Sequence, residues 1–221
     1  QLLEFAGKYG RFHHIVHNAG ITKARHKADF DRVNHEQVRN FVDALTETDT
    51  LPDQFIFMSS LSIMGAGDEA NYTPFRHDAL PNPNTAYGKS KLKTENYLKG
   101  LPDFPYLILR PTGVYGPRDR DYLILMKAVK RGLSVGVGFR KQILTFIHAE
   151  DLVKVVFRCI ERGIIRKEYF VADGENYTGS EFNAIVQQAL QKRHLFRITL
   201  PLWLVKPAAL LSEAFAGLTG R

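Results

Sequence analysis

In the stretch Tyr87-Gly-Lys-Ser-Lys91 a tyrosine and a lysine stand four residues apart, which on an α-helix puts them on one face about one turn from each other. A phenol that titrates near pH ~10 is idle as a base at neutral pH, and an adjacent ammonium stabilises its phenolate. Upstream, Phe55-Ile-Phe-Met-Ser-Ser60 reads as a buried strand that delivers hydroxyls at its carboxyl end, where open α/β sheets place their chemistry. A Tyr-x-x-x-Lys spacing alone is also what an exposed helix with an i,i+4 pair looks like. The order strand, Ser-Ser, loop, Tyr-x-x-x-Lys, strand, Arg-Pro is far more specific.

The elements that must hold these groups are legible in the surrounding pattern. The Tyr87 helix should run to about Lys99 and stop at Gly100, with Pro102 beyond. Pro105 to Arg110 is an apolar run of strand length, as expected for a strand covered on both faces, and Pro111 ends it. His13 to His17 reads as a short strand closed by Asn18-Ala-Gly20, and Gln1 to Ala6 as the tail of an amphipathic helix. Ala28 to Leu45 has helical spacing, with Asn34 on or near its apolar stripe, where a buried amide must find partners. Gly65 to Thr85, rich in Gly, Pro, Asn and Asp, is a loop of functional length leading into the Tyr87 helix. Further along, the pattern gives a helix over Asp119–Lys130, a strand over Gln142–Ile147 and a helix over Leu152–Glu161 opened by Ala149-Glu-Asp151. A strand over Glu168–Ala172 and a helix over Ser180–Gln191, capped by Thr178 or Ser180, follow. Leu195 to Leu218 is the most apolar segment and reads as helical packing surface.

With 221 residues, 44% of them hydrophobic, the chain can bury a core in one domain or one domain plus a small lobe. The formal charge is +7, but the basic residues are scattered, so no nucleic-acid partner is expected. One cysteine, Cys159, excludes an internal disulfide and reads as a core thiol of a cytoplasmic protein. No apolar run of ~18 residues appears, so no membrane partner is expected. The eight histidines set no metal site: His13, His14 and His17 lie along one short strand. His148 and Asp151 read as capping and core residues.

The motifs His17-Asn-Ala-Gly20, Val33-Asn34, Ser59-Ser60 with Gly65 following, Tyr87-x-x-x-Lys91, Leu109-Arg-Pro-Thr-Gly-Val-Tyr-Gly-Pro117, Phe146-Ile-His-Ala-Glu-Asp151 and Ala172-Asp-Gly-Glu-Asn-Tyr-Thr178 cover nearly the whole chain. Together they resemble the extended short-chain dehydrogenase/reductase family, which includes NAD-dependent epimerases and dehydratases acting on nucleotide sugars. The resemblance implies an α/β fold, a Rossmann-type doubly wound parallel sheet with a small C-terminal substrate lobe. It divides the chain into 1–115, with the catalytic residues, and 116–221, mostly substrate lobe, with 142–172 returning to the core sheet. Its first βαβ unit, carrying the glycine-rich pyrophosphate loop, is not in these residues; Gly132 to Gly138 follows a helix and does not qualify. A chain that begins after that unit would expose a sheet edge.

Carried over residue by residue, the resemblance makes Tyr87 the general acid/base and Lys91 the residue that lowers its pKa and holds the nicotinamide ribose. Ser60 orients the substrate oxygen. The cofactor, NAD or NADP, would lie against Asn18, Ala19, Gly20, Asn34, Ser59, Tyr87, Lys91, Pro111, Thr112 and Val114. The substrate would meet Ser60, Met64, Gly113 and Arg118, with Arg120 beside it as a second candidate for an anionic group. Two departures bear on the substrate: Met64 stands where many nucleotide-sugar epimerases have tyrosine, and Gly113 where they have asparagine. The Arg-Pro-Thr-Gly-Val-Tyr-Gly-Pro form looks like relatives that handle sterol- or flavonoid-type alcohols and ketones. The expected function is therefore an NAD(P)-dependent epimerase, dehydratase or reductase acting on a hydroxyl or carbonyl carbon, with a nucleotide sugar as one candidate substrate and a homodimer as one candidate assembly. The alternative is a non-catalytic NAD(P)-binding or regulatory protein of the same fold.

Overall fold

The structure, a computed structural model, describes residues 2–68, 70–138, 141–201 and 203. Helix α1 (Leu2–Tyr9) leads into strand β1 (His14–His17). A helical stretch follows as α2 (Lys27–Asp31), a π-helical turn (Arg32–Glu36) and α3 (Gln37–Glu47). Strand β2 (Gln54–Met58) ends in a 3-10 turn (Leu61–Met64), and α4 spans Ala86–Gly100. Then come β3 (Tyr106–Pro111), β4 (Gly113–Tyr115), α5 (Asp121–Lys130) and β5 (Leu133–Val137). The remainder is β6 (Ile143–Leu144), β7 (Phe146–His148), α6 (Ala149–Glu161), β8 (Lys167–Val171), β9 (Tyr177–Thr178), α7 (Gly179–Ala189) and β10 (Phe196–Leu200).

Two compact units divide the chain: residues 1–114 with 147–173, and residues 115–146 with 174–221. The first is built on a sheet of order β1-β2-β3-β8 in which every neighbouring pair is parallel. All five side chains of β2 are buried, which is why its sequence is a continuous apolar run and not an alternation. On one face Val38, Val42 and Leu45 of α3 and Leu98 of α4 pack with Phe55, Phe57 and Ile108. On the other, Val156 and Cys159 of α6 pack with Ile56, Leu107, Leu109 and Val171. Helices therefore cover both faces of a parallel sheet, the Rossmann-type α/β arrangement expected from the motif order.

In the second unit β10 pairs in parallel with β5 and β6 antiparallel with β9. Its aromatic centre is Phe146, with the rings of Tyr115, Tyr122, Tyr177 and Phe182 5.1 to 6.0 Å away. Thr178 opens α7 with a reciprocal capping box: its hydroxyl accepts from the Glu181 amide, while the Glu181 carboxylate accepts from the Thr178 amide.

Three readings of the sequence are corrected here. The stretch 142–147 is two short strands, not one, because the chain pairs with β9 before Thr145 and joins β7 after it. Phe196–Leu200, read as helical, is a strand: Phe-Arg-Ile-Thr-Leu alternates with a β-branched centre, a period that the overall apolarity concealed. The rest of Leu195–Leu218 lies largely outside the described residues. The continuous helix expected over Ala28–Leu45 contains a π-helical turn, and Asn34 sits in it, fully buried. No helix among the described residues is long and apolar enough to cross a membrane.

Candidate functional site

The carboxyl end of β2 hands the chain to Ser60, whose backbone is extended (φ −161°, ψ 149°) and whose hydroxyl accepts from the Ser62 amide at 3.2 Å. The Ser62 hydroxyl donates to the same oxygen at 3.0 Å. Ser60 thus caps the turn Leu61–Met64 and has its side chain held from behind. Gly65 ends that turn at φ 77°, and a Cβ there would meet the Asn82 carbonyl at 2.1 Å, so the far end of the 65–85 loop is folded directly onto the turn. Thr85 then caps α4, its hydroxyl accepting from the Gly88 amide at 3.0 Å. Gly88 is the second residue of the Tyr-Gly-Lys-Ser-Lys stretch for a steric reason. A side chain there would lie 2.5 Å from the Ser62 carbonyl and would push the helix off the serine turn.

This contact brings Tyr87 near Ser60, whose hydroxyl acts on the phenol. The Phe30 ring meets the Tyr87 ring edge-on, centroids 6.1 Å apart. Lys91, one turn along α4, is buried; its ammonium lies 6.0 Å from the Tyr87 ring centroid and 4.8 Å from that of Phe57, and it donates to the Met58 carbonyl at 2.8 Å. Asn34 ties the end of β1 to α4. Its Oδ1 accepts from the Ile21 amide at 2.8 Å, and its Nδ2 donates to the Ile21 carbonyl at 2.9 Å and the Ser90 hydroxyl at 3.2 Å. A Cβ on Gly20 would stand 2.8 Å from Asn34 Oδ1 and 3.5 Å from Lys91 Nζ, so glycine keeps a narrow space open beside the ammonium.

Burial governs the titration of these groups. It raises the Tyr87 phenol above its ordinary value, opposed in part by the Ser60 hydroxyl. It lowers Lys91 to about 8, against a weaker upward pull from Glu95. His17, ringed by Phe41, Phe55 and Phe57, is lowered by burial and then by the Lys91 charge, and its buried Nδ1 has no hydrogen-bond partner among the described residues. Lys91 was expected to pull the phenol down. Here its ammonium is directed at the Met58 carbonyl, and desolvation of the phenol dominates.

Ser60, Tyr87, Lys91, Asn34 and Gly20 are thus brought together by named contacts. Asn18 and Ala19 are exposed at the end of β1, and Val114 is partly exposed. Pro111 is buried, and Thr112, joined to β8 through its amide and the Val171 carbonyl at 3.0 Å, has a buried hydroxyl without a partner among the described residues. The Ser59 hydroxyl donates to the fully buried Glu95 at 2.5 Å. Met64 is buried. Gly113 is half-buried, and Arg118 is exposed and left-handed at φ 74°. His148 caps α6, as expected, while Asp151 is not a core residue but an exposed partner of Lys154. Sequence reading missed Glu95 and His17. Glu95 was visible in principle, because 87, 91 and 95 share one helix face.

The sequence model described as the NAD dependent epimerase/dehydratase family matches residues 1–172. A ceramide reductase of Caulobacter vibrioides is 30% identical over 146 residues, which cover 66% of this chain and 40% of that protein. UDP-glucuronic acid 4-epimerase from Bacillus cereus, in complex with NAD, superposes with a TM-score of 0.75 at 21% identity, over 91% of this chain and 66% of that one. RMD from Pseudomonas aeruginosa, complexed with NADPH, gives 0.75 at 20% identity, over 86% and 68%. The matches span 40% and 51% of the curated relatives' lengths. The match over residues 1–172, on a doubly covered parallel sheet, places the chain in the NAD dependent epimerase/dehydratase family.

Proposed function

We propose that this chain carries the substrate-activating groups of an NAD(P)-dependent enzyme that interconverts a secondary alcohol and a ketone, within an epimerase, dehydratase or reductase. The observation that carries the reading is the convergence of the Ser60 hydroxyl, held on its turn by Ser62, and the Tyr87 phenol with a buried ammonium beside the ring. The residues present suit the nicotinamide end of the cofactor. Gly20 leaves room beside Lys91 Nζ for a ribose hydroxyl, and Thr112 offers a buried hydroxyl that lacks a partner among the described residues. When bound, NAD(P) supplies the hydride acceptor or donor.

The chain's own groups handle the oxygen and its proton. Ser60, held by Ser62, is fixed in position to share a hydrogen bond with a carbonyl or alcohol oxygen next to the phenol. With its pKa raised, Tyr87 is protonated at neutral pH, which is the form that gives a proton to a carbonyl oxygen. Lys91, near 8, is mostly charged at neutral pH and offsets the phenolate that remains. The serine and phenol would thus serve reduction as the structure stands, and oxidation once added positive charge lowers the phenol. The ceramide reductase among the relatives and the small Gly113 in place of a polar side chain favour a ketone or alcohol on a bulky apolar substrate over a nucleotide sugar.

The test is Tyr87→Phe in the full-length protein, assayed with ketones of both classes. Turnover should fall by a factor of ~10²–10⁴, the usual contribution of a positioned acid/base, with NAD(P) affinity within a few fold of wild type. Normal turnover by the variant would sink the assignment.

A further inference from the structure

One turn beyond Lys91, α4 carries Glu95, which is completely buried. Its carboxylate accepts from Arg110 Nε at 3.2 Å and Nη2 at 2.7 Å, a two-pronged ion pair, and from the Ser59 hydroxyl at 2.5 Å. Arg110 also pairs with Glu168 of β8, whose carboxylate Lys99 approaches at 3.4 Å, and its guanidinium stacks 5.4 Å from the Phe170 ring centroid. A buried ion pair is no cheap source of stability, since apolar replacements of similar volume often serve as well or better. Its placement points to another use.

Each attachment of Glu95 is the sequence neighbour of a site residue. Ser59 precedes Ser60, Arg110 precedes Pro111 and Thr112, and Glu95 itself lies four residues from Lys91 and eight from Tyr87 on one helix face. The carboxylate thereby locks α4 to the carboxyl ends of β2 and β3, the three elements that carry the proposed chemistry. We propose that Glu95 is a positioning residue for the site: its carboxylate sets the register of α4, and with it the Lys91 ammonium, against Ser60. The proposal rests on the reading of Lys91 given above. The groups facing Lys91 are Tyr87 and Glu95 on its own helix and His17 from β1. Arg110 of β3 lies behind Glu95, and His35 on the π-helical turn lies behind Thr94. Of these, Glu95 is the charge that supports the ammonium, opposing desolvation.

The test is Glu95→Gln in the full-length protein with lysines labelled in 13C at Cε, the Lys91 signal being assigned by its loss in Lys91→Arg. The midpoint of the Lys91 titration should fall by roughly half a pH unit or more once the supporting charge is gone, and the alkaline loss of NADPH affinity should move to lower pH with it. Glu95→Asp should restore part of both shifts. An unchanged Lys91 midpoint in a folded Glu95→Gln protein would overturn the proposal. Should that variant fail to fold, Glu95→Met with Arg110→Met removes both charges of the pair together; with Arg110 behind Glu95, a smaller fall is expected, and an unchanged or raised midpoint is again decisive against the proposal. If the NAD(P) reading itself is wrong, the wild type will not bind NADPH, while the NMR comparison still reports on Glu95.

Discussion

Ser59 and Ser60 are adjacent, of one residue type, and used in opposite ways. Ser59 turns to the Glu95 carboxylate and Ser60 to the turn that faces the first residues of α4. Ser59 is buried and ends on a carboxylate inside an ion-pair layer that spans β2, α4, β3 and β8. Ser60 caps an irregular turn, remains partly accessible and acts on the Tyr87 phenol. In the first region Ser59, Glu95 and Arg110 are buried and paired with one another, whereas near the second Gly20 keeps a space open beside the Lys91 ammonium. Substitutions in the closed layer should therefore register in stability, and substitutions at its neighbour in turnover.

The sharpest break comes from orphaning the buried carboxylate. Arg110→Met alone should cost ~3–5 kcal/mol of stability by denaturant unfolding of the full-length protein, because it leaves Glu95 buried without its cation. Ser60→Ala should lower turnover by ~10²-fold or more and cost no more stability than the loss of one cap, ~1 kcal/mol, since its bonds are local to one turn. Ser59→Ala should do the reverse, costing ~1–3 kcal/mol for an unmet buried acceptor, with turnover per folded molecule within a few fold.

A smaller effect separates the regions by pH. Lys91 titrates at about 8 in the folded chain and near ~10.4 when unfolded, so between these values the unfolded state binds more protons and stability rises with pH. The contribution is lost as pH falls back through the folded value. Above pH ~10 the raised phenol of Tyr87 works the other way, because the unfolded tyrosine gives up its proton first. Unfolding at pH 8 and pH 9.5 should show the rise in wild type and a flatter dependence in Lys91→Met. The smallest expected change is at the cap of α4: Thr85→Ala should cost ~1 kcal/mol, read from the same unfolding curves.

The sheet and its covering helices were legible in the sequence because their signals are local. The buried run of β2, the stop at Gly100 and the Asn-Ala-Gly end of β1 each follow from neighbouring residues. The pairing of Tyr87 with Lys91 was legible for the same reason, being a helix-face relation. What escaped depends on partners distant in the chain. Ser59 could not be assigned to Glu95 without knowing that α4 crosses the end of β2, and Met64 could not be known to be buried without the fold of the 65–85 loop. The electrostatics escaped too: spacing brings the ammonium near the phenol, but the Met58 carbonyl captures it and burial outweighs its charge. The π-helical turn that buries Asn34 has no pattern of its own.

The most direct measurement is calorimetric binding of NADH and NADPH to the full-length protein and to its Lys91→Ala and Tyr87→Phe variants. If Lys91 holds the nicotinamide ribose and Tyr87 only exchanges a proton, wild type should bind one of the two on the order of micromolar. Lys91→Ala should then bind at least ~10-fold more weakly, a loss of ~1.4 kcal/mol, and Tyr87→Phe within a few fold of wild type. Equal affinity in wild type and Lys91→Ala, or no binding by wild type, would contradict the assignment of this site to a nicotinamide cofactor.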